Sequence, residues 1–130
     1  MAYNGVSLNG IYPNGFDWTF ALADGITEAS VNLAVSQDTT AANTVKLAGD
    51  GDSIVGLLLN VEDRGAQMGG KTGAVKTKGG MKFQAISSHG LAVGDHIVGG
   101  GSGLVKKDAS AASNAVVWEV DGDYVIAVLS

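Results

Sequence analysis

Apolar and polar side chains alternate with a period of two along much of this chain, as they do in half-buried β-strands. The alternation is clear in residues 17–22 and again in residues 30–35. The apolar residues that share a face are Trp18, Phe20 and Leu22 in the first segment and Val31, Leu33 and Val35 in the second. Both segments are predicted as strands, and residues 25–35 are the one stretch where a short helix also fits.

The most apolar run, residues 53–62, is predicted as a strand that is covered on both sides. One face carries Val55, Leu57, Leu59 and Val61, and the other carries Ile54, Gly56 and Leu58. Gly56 and the β-branched residues of this run disfavour a helix, because glycine costs backbone entropy there and branched side chains lose rotamer freedom.

Three turn signals divide the second half of the chain: Gly79-Gly80, the Gly-rich residues 99–103 and Asp121-Gly122-Asp123. The first is predicted to join residues 74–78 to 81–86 as a hairpin, and the last to join residues 115–120 to 124–129. Turn signals at such short intervals are typical of barrels and sandwiches. The predicted fold class is mainly β: a small Gly/Ala-rich β-barrel or sandwich with an extended N-terminal arm and little helix.

The first 16 residues differ from the rest of the chain. Asn-Gly occurs at positions 4–5, 9–10 and 14–15, and no charged residue precedes Asp17. Asn-Gly favours tight turns because both residues tolerate positive φ. We therefore predict an extended arm over residues 1–16 and a single β-domain over residues 17–130. Such an arm suits strand addition to a partner's sheet edge, although an ordinary first strand or a frayed end fits the pattern too.

Composition and charge narrow the function classes. The chain has 130 residues, no cysteine and a formal net charge of −5. A Cys-based zinc site and a disulfide framework are therefore excluded. No apolar stretch reaches the ~20 residues of a membrane-spanning helix, and the residues after Met1 give no reason to expect a signal peptide. The acidity argues against general binding to nucleic acid or to an anionic membrane.

Basic residues are concentrated in one segment, residues 64–82, which holds no acid. They are Arg64, Lys71, Lys76, Lys78 and Lys82. A basic segment in an acidic protein suits contact with an acidic protein surface or self-association. A solvated strand face explains the same pattern.

Residues 65–72 fit the phosphate-binding pattern G-x-x-x-x-G-K-[ST]. That chemistry needs a helix starting at Lys71, whose first amides and dipole hold the phosphates. The following residues, rich in Gly, Val and Thr, do not sustain a helix. We therefore predict a turn within a β-protein here. Met81-Lys82 likewise suggests the modified lysine of biotinyl carrier domains, but Lys82 is predicted to lie inside a strand.

The inventory of reactive side chains is thin. His89 and His96 lie seven residues apart, which places them on opposite faces of a strand and disfavours a shared metal. Surface or hydrogen-bonded histidines are expected instead. The Asp-Gly-Asp sequences at 50–52 and 121–123 are explained by turn chemistry. We assign no catalytic, cofactor-binding or metal-binding residue, and we expect the protein not to be an enzyme.

Residues 45–130 resemble the head decoration (cement) proteins of tailed bacteriophages. The resemblance is carried by Val45-Lys46-Leu47, the strand Ile54-Val55-Gly56-Leu57-Leu58-Leu59, the element Gly90-Leu91-Ala92-Val93-Gly94-Asp95-His96-Ile97 and the closing pattern from Trp118 to Leu129. It implies a small Gly/Ala-rich β-barrel that binds the outside of a mature capsid. It also implies a homotrimer that bridges major capsid protein subunits and stabilises the shell against internal DNA pressure.

This resemblance implies a position on the outer capsid surface of a virion assembled in the host cytoplasm. From the acidic composition we expect no nucleic-acid or membrane partner. The predicted contact residues are Tyr3, Val6, Leu8, Ile11, Tyr12, Phe16, Trp18 and Phe20, with the basic segment facing acidic patches. The alternatives are another virion module, such as a head fibre base or a tail component, and a β-barrel that binds carbohydrate or another small ligand. Nucleotide binding is the third.

Overall fold

A computed structural model of the chain describes residues 17–63 and 70–130. Within them the strands are β1 Asp17–Leu22, β2 Ala34–Gln37, β3 Thr44–Leu47, β4 Gly56–Leu58, β5 Glu62–Asp63, β6 Lys71–Lys76, β7 Gly79–Gln84, β8 Ile97–Gly101, β9 Leu104–Lys107, β10 Ala115–Asp121 and β11 Tyr124–Leu129. The described helical structure is one 3-10 turn, Glu28–Ser30. The predicted mainly β class with little helix is confirmed. The predicted arm, residues 1–16, lies outside the described residues.

Five strands close into a barrel. β1 runs parallel to β3, β3 and β4 each run antiparallel to β2, and β6 runs antiparallel to both β4 and β1. The short β5 adds to the outside of β6. Closure gives each of the five strands two neighbours, which removes most of the exposed edge that an open sheet presents.

The barrel interior is filled by side chains. The buried members of this first core are Leu22, Ile26, Val35, Val45, Leu58 and Val75. Phe20, Leu47, Val55 and Val61 pack against them from the two ends and are only partly buried. A five-stranded barrel is narrow, so these side chains occupy its centre.

A second core lies outside the barrel wall. It is covered by the three-stranded antiparallel sheet β10-β11-β7 and by the β8–β9 hairpin. Its buried members are Ala34, Ala48, Leu57, Met81, Phe83, Ala85, Leu91, Ile97, Val105, Ala115, Val117, Val125, Ala127 and Leu129. Because Ala34 and Leu57 belong to barrel strands, the second core uses the outer face of β2 and β4 as its floor.

The predicted strand over residues 30–35 is wrong in its first part. Thr27 caps the 3-10 turn, since its Oγ1 accepts the backbone N–H of Ala29 at 3.3 Å. Asn32 then adopts a left-handed conformation with φ of 72°. The strand begins only at Ala34, and the short helix that residues 25–35 allowed is present.

The predicted continuous strand over residues 53–62 is also wrong. Only Gly56–Leu58 forms a strand there, and all three residues are buried, which confirms the expected coverage from both sides. Beyond Leu58 the side chain of Asn60 takes over, because its Oδ1 accepts the backbone N–H of Ala74 at 2.9 Å. The backbone N–H of Leu59 still donates to the oxygen of Ala74 at 2.8 Å, so the side chain of Asn60 replaces only the return bond, and β5 pairs with β6 again from Glu62.

The Gly79-Gly80 hairpin is not formed. β6 belongs to the barrel, whereas β7 pairs with β11 in the other sheet, so the two glycines mark a change of sheet. The predicted turn over residues 99–103 is shorter than expected. Strand β8 continues to Gly101, and Ser102 and Gly103 make the turn with φ of 54° and 82°.

The closing hairpin is confirmed, with Asp121 opposite Tyr124. Its ladder is shifted between Val117 and Glu119, which leaves Trp118 at a bulge. Bulged strands bend and twist more strongly, which re-aims the side chains at the bulge.

A substitution at Gly56 tests the close contact between β4 and β6. A Cβ at this position would overlap the backbone oxygen of Lys76 and lie 2.9 Å from Cγ1 of Val75. We expect Gly56→Ala to lower the free energy of unfolding by about 1–3 kcal/mol, the usual cost of overpacking. The measurement is urea denaturation followed by circular dichroism.

The matched control is Gly80→Ala. Gly80 also lies in a strand, but no atom lies within 4 Å of an added Cβ. We expect this variant to stay within about 0.5 kcal/mol of the wild type. Equal destabilisation by the two substitutions would contradict the steric explanation.

Candidate functional site

The predicted contact residues divide between described and undescribed parts of the chain. Those that lie outside the described residues are Tyr3, Val6, Leu8, Ile11, Tyr12, Phe16 and, in the basic segment, Arg64. Trp18 and Phe20 are described, and both lie on β1. Of the predicted apolar contact residues, the structure therefore describes Trp18 and Phe20.

Exposure falls steadily along one face of β1. The side chain of Trp18 is 60% exposed, Phe20 is partly buried against the barrel core, and Leu22 is buried within it. Trp18 lies opposite Val75 of β6 in the ladder, so it belongs to the inward face of the barrel but stands at its end. Trp18 and Leu22 therefore share one face of β1. Leu22 lies inside the barrel and is buried, whereas Trp18 lies at the end of the barrel and is exposed to solvent.

The first half of β1 has a neighbour on one side only. Residues 17–21 pair with β6, whereas on the other side β3 pairs with Ala21 and Leu22 alone. Among the described residues, no strand lies along the β3 side of Asp17 to Phe20. An unpaired strand edge offers backbone donors and acceptors to an added strand.

A depression of about 280 Å³ opens beside this edge. It is lined by Phe20, Gln37, Asn43, Thr44, Val45 and Val55. Apolar side chains of the barrel and polar side chains at the end of β2 and the start of β3 thus meet beside Phe20, two residues along β1 from Trp18. The exposed indole, the open edge and the depression together define a surface that we call the barrel-end surface.

The basic segment does not form one patch. The ammonium group of Lys71 donates to the backbone oxygens of Asp24, at 2.9 Å, and Ile26. Lys76 donates to the backbone oxygen of Gly80 at 3.0 Å. These two amines therefore bind backbone oxygens of the same chain, and Lys78 is the exposed lysine that follows β6.

Lys82 lies in the interior of β7, paired with Ile126 of β11. Its Nζ lies 3.5 Å from a carboxylate oxygen of Asp121 and 5.1 Å from the ring centroid of Tyr124. The lysine is part of a strand rather than a turn, as predicted, and this placement differs from that of a modified lysine in a biotinyl carrier hairpin.

The phosphate-binding pattern lacks its helix. Residues 64–69 lie outside the described residues, but Lys71 and Thr72 begin strand β6. The backbone N–H groups of β6 pair with β1 and β5, so they do not converge on a bound anion as the amides of a helix N-terminus do. Because a strand and not a helix begins at Lys71, the prediction that this pattern lies within a β-protein is confirmed.

Both histidines are hydrogen-bonded. His89 Nδ1 accepts the backbone N–H of Leu91 at 2.9 Å, so its Nε2 carries the proton and donates to the oxygen of Gly122 at 2.7 Å. A ring nitrogen of His96 lies 2.8 Å from the backbone oxygen of Ser113. Among residues 17–63 and 70–130, no group of three or more His, Cys, Asp or Glu side chains is placed to hold a metal ion.

Sequence reasoning left one feature undetected, the loop that follows β9. The carboxylate of Asp108 accepts four hydrogen bonds, from Ser110 N at 3.0 Å, Ser110 Oγ at 2.7 Å, Ala112 N at 3.1 Å and Ser113 N at 3.1 Å. An aspartate two residues before a serine is a weak loop signal. The bond from the Ser110 hydroxyl is the main cause that lowers the pKa of Asp108 below 3.8.

No protein-family model matches the chain, and a search of curated proteins finds no significant match. The family resemblance of residues 45–130 therefore stays a prediction. In the part of the chain that the structure describes, no helix has the length and apolarity to cross a membrane.

The pKa of Asp108 supplies a test of this loop. A lowered folded-state pKa means that the carboxylate stabilises the fold above the ordinary aspartate pKa, and that this contribution disappears as the pH falls through the folded-state value. We expect Asp108→Asn to lower the melting temperature at pH 7 and to lose most of this difference near pH 2. Thermal denaturation of both proteins across this range measures it.

The conservative variant Ser110→Ala is the companion measurement. It removes the hydroxyl donor, so the pKa of Asp108, followed by NMR of its side-chain carboxyl, should rise towards 3.8. A pKa that does not respond, or a stability difference that is the same at pH 2 and pH 7, would contradict the assigned role.

Proposed function

We propose that this chain is a non-enzymatic decoration protein of a tailed-bacteriophage head. In this proposal it binds the outer surface of the mature shell and bridges neighbouring major capsid protein subunits. The resemblance of residues 45–130 supports the proposal. The mainly β fold class agrees with the fold that the resemblance implies, and two of the five barrel strands, β1 and β2, precede the resembling residues. The homotrimeric state and the position on the virion surface come from the resemblance alone.

The observation that carries the proposal is the exposed indole of Trp18 at the open edge of β1. Tryptophan is enriched among the residues that dominate binding energy at interfaces. The edge beside it lacks a ladder partner over residues 17–20 among the described residues. The uncharged residues 2–16 continue directly from this point, so the arm and the barrel-end surface would contact the same neighbour.

Shell stabilisation follows from linkage. A protein that binds only the assembled and expanded shell shifts the equilibrium towards that state by mass action. Many copies on one particle add their effects, so that a modest interface on each copy suffices. Of the described members of the basic segment, Lys78 is the exposed lysine that would face an acidic patch.

One alternative is a β-barrel that binds a small ligand, and the interior of the observed barrel does not support it. The described interior is occupied by the side chains of the first core, including Ile26, Leu58 and Val75, each 0% exposed. A ligand inside the barrel would have to displace them. A site for a small ligand would therefore have to lie on the surface of the molecule. The other alternative, a different virion module, could use the same barrel-end surface and would differ only in its position on the particle.

The test uses phage particles that lack this chain and purified protein added back. We expect Trp18→Ala to weaken binding to the particles by about 30-fold, which corresponds to a hot-spot loss of about 2 kcal/mol. The measurements are co-sedimentation of the protein with the particles and the melting temperature of the shell.

Trp118→Ala is the matched control, because Trp118 is also an exposed strand tryptophan, at 67%, but lies in the other sheet. We expect it to bind as the wild type does. Full-strength binding by Trp18→Ala would refute the role of the barrel-end surface. Failure of the wild-type protein to bind the particles would refute the proposed function.

A further inference from the structure

A groove of about 580 Å³ lies on the side of the molecule, between the sheet β10-β11-β7 and the loop that precedes β2. Its volume falls within the range of ordinary small-ligand sites. Its lining includes Asn32, Leu33, Leu57, Lys82, Gln84 and Tyr124. We call it the lateral groove, and it is distinct from the barrel-end surface.

The sheet register brings its polar groups together. Gln84 lies directly opposite Tyr124, and Lys82 lies opposite Ile126 two residues along. These side chains therefore share the outward face of the sheet, while Phe83 and Val125 between them point into the second core and are fully buried. The polar groups thus lie on strands whose opposite face is packed into the second core through Phe83 and Val125.

The opposite wall is fixed by the backbone. Asn32 has a φ of 72°, and its N–H donates to the oxygen of Leu58 at 2.8 Å. The next amide, that of Leu33, donates to Ser30 at 3.1 Å. The bond from Asn32 joins the wall to the barrel strand β4, as does the bond from the N–H of Leu58 to the oxygen of Leu33 at 3.1 Å. The groove is therefore preformed, and a ligand does not have to order it.

The local charge argues against an anion as the ligand. The ammonium group of Lys82 lies 3.5 Å from the carboxylate of Asp121 and 5.1 Å from the centroid of the Tyr124 ring. The carboxylate offsets the positive charge, and the ring face attracts the cation further. What remains is a hydrogen-bond donor beside an aromatic ring that is 40% exposed.

The lining therefore combines two kinds of surface. The side chains of Leu33 and Tyr124 offer apolar and aromatic surface, and Leu57 lies beneath them in the second core at 8% exposure. Asn32 and Gln84 each offer a carboxamide that both donates and accepts hydrogen bonds. A pyranose matches this combination, because its C–H face is apolar and its rim carries hydroxyl groups that donate and accept. We propose that the lateral groove binds a pyranose saccharide. This inference does not rest on the proposed function, since it uses other residues.

NMR titration of the uniformly 15N-labelled full chain tests the inference. The probes are the neutral sugars N-acetylglucosamine, galactose and glucose, with inorganic phosphate as the anion control. We expect at least one of the three sugars to cause saturable shifts at the amides of residues 31–33, 82–84 and 124, with a dissociation constant of about 1–10 mM. Phosphate should leave these amides unchanged.

Three variants assign the binding to the groove, and a fourth is the control. Gln84→Ala and Tyr124→Ala should each weaken sugar binding at least about tenfold, while Tyr124→Phe, which keeps the ring, should retain most of it. Trp118→Ala removes an exposed aromatic ring of the same sheet outside the groove and should bind as the wild type does. Tyr124→Phe and Gln84→Ala keep the test decisive if Tyr124→Ala fails to fold.

Three results would overturn the inference. The first is the absence of saturable shifts with all three sugars. The second is a set of shifts that maps outside the lateral groove or that persists in Gln84→Ala. The third is phosphate binding at the groove amides, which would assign an anion site in place of a saccharide site.

Discussion

Two strands of the barrel serve two hydrophobic cores at once, and the rest of the architecture depends on this arrangement. In β2, Ala34 faces the second core and Val35 the first, and in β4 the same division separates Leu57 from Leu58. A strand buried on both faces cannot slip by one residue without exchanging the two sets of side chains. The register of the barrel and the position of the outer sheet are therefore set together.

The shared wall also explains where close backbone contacts occur. The β8–β9 hairpin is joined to the turn after β3 by hydrogen bonds from Gly51 N to Gly99 O and from Gly99 N to Asp52 O, each 2.8 Å long. A Cβ at position 99 would overlap the backbone oxygen of Gly49. The ion pair of Lys106 with Asp50 lies at the same junction. A glycine at position 99 thus allows the hairpin to lie against the barrel.

The sequence alone predicts those elements whose causes are local. The closing hairpin is one, because the turn at 121–123 and the alternation around it act on neighbouring residues. The Gly79-Gly80 hairpin fails because a glycine pair allows a turn without specifying which strand pairs with which. In the predicted strand at 53–62, the side chain of Asn60 accepts the N–H of Ala74 where a backbone oxygen would do so in a regular ladder, and no local pattern reveals this partner.

In the candidate site, too, the features with local causes are predictable from the sequence and those with long-range causes are not. Alternation places Trp18, Phe20 and Leu22 on one face, but their graded exposure depends on where β3 diverges from β1. The basic segment is visible as a sequence feature, yet folding directs Lys71 and Lys76 to backbone oxygens of the same chain. The lateral groove joins residues about 90 positions apart, from Asn32 to Tyr124, and has no sequence signal of its own.

The central functional claim is that this chain coats a phage shell in many copies. Quantitative mass spectrometry of purified phage particles, with the copy number of this chain compared with that of the major capsid protein, tests it most directly. The account predicts comparable copy numbers, and a shell that stays closed but melts at a lower temperature once this chain is removed. A few copies per particle, or none, would contradict the account.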